Sequence, residues 1–488
     1  MLFPIFCVQI GIFHFMIYTF LSSFLYHTHK KIKTMRLPAN LLVLSMLLVS
    51  CSNSTESVQA QGQKISQFEK AGLCDFLIDK NGVYHAVFQE SPAIGKPLFI
   101  YYSSSTNKGT SWSKPITLSN DNSGNGAGYP RILQDGNGLI YAIWKRYGST
   151  VSQYPVPELI LDGPGGYSMG TIFYKALSGG TWSNQIQLNE LEQAQESWFA
   201  TVSPKGIVYV FWTQASPESV KNNRLAWYYC DYLRGTSLNG TNHSGYADMS
   251  TPSKPAYEGG YPAEKLGGIN LNGYVDNAGI PHLIYEDAPN DVQEIKYYDG
   301  KTERIVYSYP KYKAGNTFHN PPHLLIDEKG FDHLIFVPSS STLESEQIWD
   351  INLSTNQTNI LTQIQQKGIT ISGFQASQGP KGAMAVTFEA GAGFGNTEAF
   401  GMFYNNGNWK NVGLTNNASK ENFFSKEFIG LGGYLTSIST LTTYHSKFAS
   451  VAYDALGHKS LLMNISAYWS TGAYSTSSPS IVYLALDK

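Results

Sequence analysis

The sequence predicts an all-β chain: a β-propeller of seven four-stranded blades, with six blades as the alternative. Three observations predict it. A two-strand pattern centred on glycine recurs seven times along the 488 residues, at Gly82, Gly138, Gly206, Gly279, Gly330, Gly382 and Gly457. An aromatic stands six residues after that glycine in six copies: Phe88, Trp144, Trp212, Tyr285, Phe336 and Phe388, with Met463 in the seventh. Charged residues are only 14% against 14% aromatics, with 46 Gly, a balance that suits short strands and tight turns.

The first two strands of each unit follow from local chemistry. Asp lies three residues before the glycine in five copies, at Asp79, Asp135, Asp276, Asp327 and Asp454. An Asp that accepts backbone N–H bonds and a Gly that tolerates positive φ make a tight hairpin. The aromatic that follows fills the space between stacked sheets. Successive glycines are 56, 68, 73, 51, 52 and 75 residues apart, room for four strands and their loops. Third strands are expected at LFIYYSS, GTIFYKA, RLAWYYC, EIKYYDG and FGMFYNN, and fourth strands at SWSKPITLS, TWSNQIQLN and NWKNVGLT. The seventh unit runs out after KSLLMNI and SIVYLALDK. Its missing outer strand is expected from QKISQFEKA, which puts Ile65 and Phe68 beside the C-terminal strand and closes the ring.

The propeller is therefore assigned to residues 63–488. Residues 1–50 read as a targeting region to be set aside from the fold. Within it, the apolar run LPANLLVLSMLLVS follows Lys30, Lys31, Lys33 and Arg36 and ends at Cys51. The segment Leu48-Val49-Ser50-Cys51 resembles a bacterial lipobox. That resemblance implies lipidation of Cys51, residues 51–62 as a tether, and an exported, lipid-anchored protein of the bacterial envelope, with the outer membrane expected. An ordinary signal peptide is the alternative. The earlier run from Leu2 to Leu25 is either a membrane helix or sequence upstream of a true start at Met35. Cys74 and Cys230 are too few and too far apart for a disulfide scaffold and read as buried small hydrophobes.

Ser105-Thr106-Asn107-Lys108-Gly109-Thr110-Ser111-Trp112 resembles the Asp-box of the BNR-repeat, sialidase-like propellers, with Asn107 where that family has Asp. Ser178-Gly179-Gly180-Thr181-Trp182 and Asn405-Asn406-Gly407-Asn408-Trp409 are similar but decayed. The resemblance implies a propeller of the family's kind, with the Asp-box on the face away from the site. It also implies a glycan or polysaccharide partner. The family's Phe-Arg-Ile-Pro pattern is only echoed, by Tyr129-Pro130-Arg131-Ile132.

Candidate chemistry is read from the repeat. Seven residues before each glycine stand Asp75, Arg131, Phe199, Asn272, His323, Gln375 and Ser450, a ring whose variety contrasts with the uniform repeat around it. After the second strands come Glu90, Lys145 with Arg146, Gln214, Glu286 with Asp287, and Glu389. His85, His282 and His333 recur three residues after the glycine and are taken as structural. His323, Glu286, Glu389 and Arg131 are the catalytic candidates, because paired carboxylates serve glycoside hydrolysis and arginine holds a sugar carboxylate. Asp75, Glu90, Arg146, Tyr147, Gln214, Asp287, His319 and Gln375 are the binding candidates. The insertion from Lys145 to Gly170 adds Tyr154 and Tyr167 for stacking on sugar rings. Residues Tyr232 to Lys265 form a second insertion without a readable motif.

No cofactor is implied, and no spacing matches a strong metal motif. A net charge of -2 offers no basic surface for nucleic acid. The functional expectation is a monomeric, envelope-anchored propeller that binds or processes extracellular glycans, by hydrolysis or by lyase chemistry if it is an enzyme. A non-catalytic protein- or glycan-binding scaffold is the alternative.

Overall fold

The computed structural model describes residues 63–68, 71–93, 96–119, 126–147, 170–189, 194–214, 232–244, 247–248, 269–287, 294–309, 321–338, 346–365, 369–391, 397–405, 407–413, 429–430, 443–454, 456–471 and 474–486. All belong to the larger of two units, Gln59–Lys488. No helix among them is long and apolar enough to cross a membrane. Cys51 and the rest of the targeting region lie outside the described residues.

Antiparallel meanders account for almost all of the described chain. Unit 1 runs through Ala71–Ile78, Tyr84–Glu90, Phe99–Ser105 and Ile116–Thr117, each strand paired to the next. Units 4, 5 and 6 repeat this with first strands Ile269–Val275, His323–Ile326 and Thr370–Gln378. Among the described residues the hydrogen-bonded sheets number six, the count of the six-bladed alternative. One of the six has ten strands and holds units 2 and 3, with first strands Ala127–Gln134 and Ala194–Val202. The two units are joined there through the pair Ala194–Gly170. All seven glycine-centred units are thus present as meanders, and their first strands stand side by side in a closed ring, the last, Thr443–Tyr453, lying against Ala71–Ile78.

Each hairpin closes as its sequence dictates. The seven glycines have φ between +76° and +91°, open to residues without a side chain. Asp79 Oδ1 accepts the N–H groups of Asn81 and Val83 at 2.8 Å, and Asp327 Oδ1 those of Lys329 and Phe331 at 2.8 Å. The second oxygen faces the residue three after the glycine: His85 Nε2 at 3.4 Å from Asp79, Tyr141 Oη at 3.2 Å from Asp135, His333 Nε2 at 3.4 Å from Asp327. The repeating histidines are turn locks, as their periodicity suggested. The aromatics six after the glycine are buried in the spaces between blades, Phe88, Trp212 and Phe336 completely so.

Ring closure also follows the sequence. Gln63–Lys64 pairs antiparallel with Tyr474–Ala485, matching Gln63 to Tyr483 and Lys64 to Val482. Ile65 N–H donates to Ile481 O at 2.9 Å, and Phe68 packs on the cluster of Ile481 and Tyr483. The turn after Ser105 lies against this seam. Ser105 Oγ accepts from Gly109 N–H at 2.9 Å, Asn107 Oδ1 from Ser111 N–H at 2.9 Å, and Trp112 packs 5.6 Å from Tyr483. Asn107 thus caps this turn with its side-chain oxygen, as an Asp would.

One strand differs from expectation. Unit 3 takes Tyr232–Asn239 as its third strand, paired along Val208–Gln214, whereas RLAWYYC lies outside the described residues. The apolar run is the stronger strand signal, but the strand used ends in the turn pair Asn239-Gly240, with Gly240 at φ +61° and its N–H on Tyr141 Oη at 2.7 Å. The insertion expected from Tyr232 to Lys265 therefore begins after this strand.

Ile65 is 5% exposed in the closing seam, whereas Ile360 is 44% exposed on an outer strand. Ile65→Asp should lower the urea midpoint by the equivalent of roughly 3 kcal/mol or more, and Ile360→Asp by less than about 1. Equal shifts in chemical denaturation would mean that the seam does not hold the ring.

Candidate functional site

The first strand of a blade is a sheet edge, so half of its backbone N–H groups face away from its own sheet. Side chains of neighbouring blades satisfy them. Asp75 Oδ2 accepts Ile132 N–H at 2.9 Å, Ser197 Oγ accepts Leu271 N–H at 2.5 Å, and Asn272 Oδ1 accepts Leu324 N–H at 3.1 Å. Gln378 Oε1 accepts Ile326 N–H at 2.8 Å nearer the hairpins. These cross-links fix neighbouring first strands in parallel register. All hairpins therefore lie on one face, and the ring from Asp75 to Ser450 lies toward the other, called here the mouth.

The ring residues then sort into two kinds. Asp75, Asn272 and Ser450 are fasteners: Ser450 Oγ donates to Asp75 Oδ1 at 2.8 Å, in addition to the backbone bonds above. Phe199 is buried and stacks on Phe211. Arg131 and His323 are different. The Arg131 side chain is 39% exposed, its Nε 3.7 Å from Asp75. His323 is buried at 6% exposure, makes a backbone hydrogen bond with Phe374, packs its ring 5.4 Å from that phenyl, and leaves Nε2 without a partner. Burial drives its pKa down from 6.5 to about 4, against the Phe374 bond, and the positive charge of Arg131 adds to the depression. The ring is therefore neutral at pH 7, and Arg131 and His323 share one electrostatic environment although they belong to units 2 and 5. Gln375, half-buried, follows Phe374 on the next first strand.

The carboxylate candidates are drawn into the scaffold. Glu90 is wholly buried and accepts the N–H groups of Gln67 (3.3 Å) and Phe68, which ties the closing segment to unit 1. Burial raises its pKa, and those two N–H bonds oppose the rise. Glu286 is also wholly buried; Oε1 accepts from Tyr309 Oη at 2.8 Å and Oε2 from Asn270 Nδ2. Both oxygens of each are thus committed to internal bonds. Glu389 is buried on its strand opposite Ser372 and Ala399. Arg146 lies with its guanidinium 4.8 Å over the Phe173 ring. Tyr147, Gln214 and Asp287 end the second strands of units 2, 3 and 4, paired with Gly170, Ala194 with Tyr232, and Glu294. His319, Tyr154 and Tyr167 fall outside the described residues. Among the described residues no group of three His, Cys, Asp or Glu could hold a metal ion.

Sequence reasoning missed the backbone feature that builds the mouth. Six first strands carry a register shift just before the ring position, between Ala71 and Cys74, Gly128 and Arg131, Ala194 and Trp198, Ile269 and Asn272, Ser372 and Gln375, and Lys447 and Ala449. Such bulges re-aim side chains. In unit 2 the bulge holds Tyr129 at φ +55° and leaves it 46% exposed beside Arg131; in unit 4 it holds Asn270 at φ +56°. A left-handed tyrosine has no sequence signal, although a bulge before a Pro-Arg pair is compatible with Tyr129-Pro130.

No protein-family model matches the chain, and no curated protein matches it. Solved structures do. The chain is similar to a Dyadobacter fermentans protein of unknown function (TM-score 0.43, 11% identity, covering 87% of this chain and 98% of that one). It is similar to a Penicillium chrysogenum alpha-L-arabinanase complexed with arabinobiose (TM-score 0.40, 13% identity, 87% and 98%). A third likeness is to the Hadza microbial sialidase Hz136 (TM-score 0.39, 11% identity, 87% and 68%).

The depressed His323 pKa has a defined sign. Between 6.5 and about 4 the unfolded chain binds a proton that the folded chain refuses. Stability from this group is therefore complete above pH 6.5 and is lost as pH falls toward 4. Over that range the wild type should lose on the order of 3 kcal/mol more than His323→Gln in urea unfolding. Parallel pH profiles for the two proteins would show that His323 is not the buried neutral group described.

Proposed function

We propose that this chain is an envelope-anchored propeller that binds acidic extracellular glycans at its mouth. One observation carries the reading: a partly exposed arginine and a buried, neutral histidine with an unpartnered Nε2 stand in the same ring, where most other positions are committed to the scaffold. A planar guanidinium suits a sugar carboxylate, which it can meet with two parallel hydrogen bonds. The neutral imidazole suits a sugar hydroxyl. Tyr129, exposed beside Arg131, offers an apolar face to a sugar ring. The Asp-box resemblance and the lipobox at Cys51 support the same setting, a lipidated protein exported to the bacterial envelope and tethered through residues 51–62.

A second reading, a polysaccharide lyase, is favoured by His323 itself. An imidazole unprotonated at neutral pH can take a proton, and a neighbouring arginine can neutralise the uronate carboxylate whose α-proton leaves. Hydrolysis by Glu286 is less well supported, since both its oxygens are already hydrogen-bonded.

Purified protein should retain acidic polysaccharides and pass neutral ones in affinity electrophoresis. Arg131→Ala should weaken the retained glycan roughly tenfold or more in calorimetry while leaving the thermal midpoint nearly unchanged. Absorbance of unsaturated uronates, lost in His323→Gln, decides for the lyase. Retention of no glycan, or equal retention by Arg131→Ala, overturns the binding reading. Metabolic labelling with a palmitate analogue should mark the wild type and not Cys51→Ser; an unlabelled wild type removes the lipid anchor.

A further inference from the structure

The three histidine turn locks differ in charge. Tyr102 in unit 1 and Asp350 in unit 5 hold the same place in the third strand, two residues before Ser104 and Asn352, the partners of His85 and His333. That difference decides the protonation of each ring. His85 Nδ1 lies 2.7 Å from Tyr102 Oη, and its Nε2 faces Asp79 at 3.4 Å. A neutral imidazole suits both, taking the phenol proton on one nitrogen and turning its N–H toward Asp79 with the other. Burial lowers the pKa of His85, against the pull of Asp79. His333 instead has carboxylates on both sides, Asp350 Oδ1 2.8 Å from Nδ1 and Asp327 Oδ2 3.4 Å from Nε2. An ionised carboxylate only accepts, so an imidazolium is needed to donate to both. His282 is held in the same way. Its Nε2 is 3.7 Å from Asp276, and its Nδ1 is 2.7 Å from Tyr297 Oη and 3.4 Å from Asp332. Tyr297 gives its own hydroxyl proton to Asp332 and therefore accepts from His282.

Both protonated rings lie where blades meet. Asp332, on the second strand of unit 5, accepts the hydroxyls of Tyr274 and Tyr297 from unit 4. The His333 ring packs 5.9 Å from Tyr404 of unit 6. Asp276, Asp332, Asp299, Tyr274 and Tyr297 surround His282, with Arg304 5.4 Å over the Tyr297 ring. Asp327, Asp350 and Tyr404 surround His333, with Glu328 beyond Tyr404. Asp327, Asp332 and Asp350 are buried, and among the described residues no Lys or Arg pairs with them. A histidine that gave up its proton would leave a nitrogen lone pair facing a buried carboxylate. We infer that His282 and His333 are proton-held latches, and that their deprotonation loosens the sector of the ring formed by units 4 to 6. Burial opposes both protonations, but the carboxylates outweigh it and raise both pKa values above 6.5. The folded chain thus keeps protons that the unfolded chain releases. Their stabilisation is complete below pH 6.5 and is lost as pH rises through the folded-state values. The strand His323–Ile326 runs directly into Asp327, so the latch acts on the scaffold of the mouth whatever the mouth binds. His323 itself titrates at about 4 and takes no part in this window.

Hydrogen exchange of the wild-type full chain between about pH 6 and pH 9, corrected for the intrinsic pH dependence of exchange, tests the latches. Protection of the hairpins Tyr274–Tyr285 and Leu325–Phe336 should fall at least about threefold over that range, while Leu77–Phe88, with its neutral His85, keeps its protection. His282→Gln and His333→Gln retain a donor that does not titrate, so each should flatten the pH dependence of its own hairpin. Should a variant fail to fold, the comparison among the three wild-type hairpins decides alone. Equal loss of protection in all three hairpins, loss in none, or an unchanged pH dependence of Leu325–Phe336 in folded His333→Gln overturns the proposal.

Discussion

The orphaned amides of the innermost strands are the constraint on which the rest of the structure depends. A propeller blade ends at its first strand, and nothing in the blade itself can accept the N–H groups that point away from it. In water a sheet edge is tolerable; packed against neighbours it is not. Here the acceptors come from adjacent units: Asp75 to Ile132, Ser197 to Leu271, Asn272 to Leu324, and Glu346 to Ile371. Each such bond is modest on its own. Leaving its amide unpartnered would cost roughly 1–3 kcal/mol, so the four bonds lock the register of unit 1 against 2, 3 against 4, 4 against 5 and 5 against 6.

That constraint explains what was legible in the sequence. Asp79, Gly82 and Phe88 have roles set by local geometry: a side-chain cap, a positive φ and a filled space between sheets. Local geometry repeats, so the residues repeat, and the number and order of the hairpins could be read directly. The histidines could be read as structural for the same reason, His85 and His333 occupying one place in two turns. His282 shows how far such a lock can be elaborated. Its ring stacks on Tyr274, and Asp332 accepts hydroxyl bonds from both Tyr274 and Tyr297. Burial opposes its protonation, but Asp332 and Asp276 outweigh that and raise its pKa.

The ring at the mouth was legible only as a set of positions. Variety among Asp75, Asn272 and Ser450 signalled that the position mattered, but it could not distinguish ligand binding from fastening. The acceptor role depends on which amide of the next blade lies opposite, and that is fixed by packing rather than by sequence. Glu90 and Glu286 illustrate the same limit. Their place after the second strand suggested a carboxylate cluster, whereas the partners that absorb them, Phe68 and Tyr309, lie more than twenty residues away. The bulge at Tyr129 leaves no pattern, because an aromatic does not signal a positive φ, whereas Asn270 is of a type that tolerates one.

Subtracting the fasteners is therefore what isolates the site. Once Asp75, Asn272 and Ser450 are assigned to joining the blades and Glu90 and Glu286 to internal bonds, Arg131 and His323, with the half-buried Gln375, remain as polar groups of the ring whose chemistry those bonds do not use up. Their separation in sequence is large, but the ring places units 2 and 5 around one axis, and the charge of Arg131 reaches the His323 ring. One repeat thus spends its conserved geometry on closing hairpins and joining blades. What varies between copies is left at the mouth, where Arg131 and His323 stand.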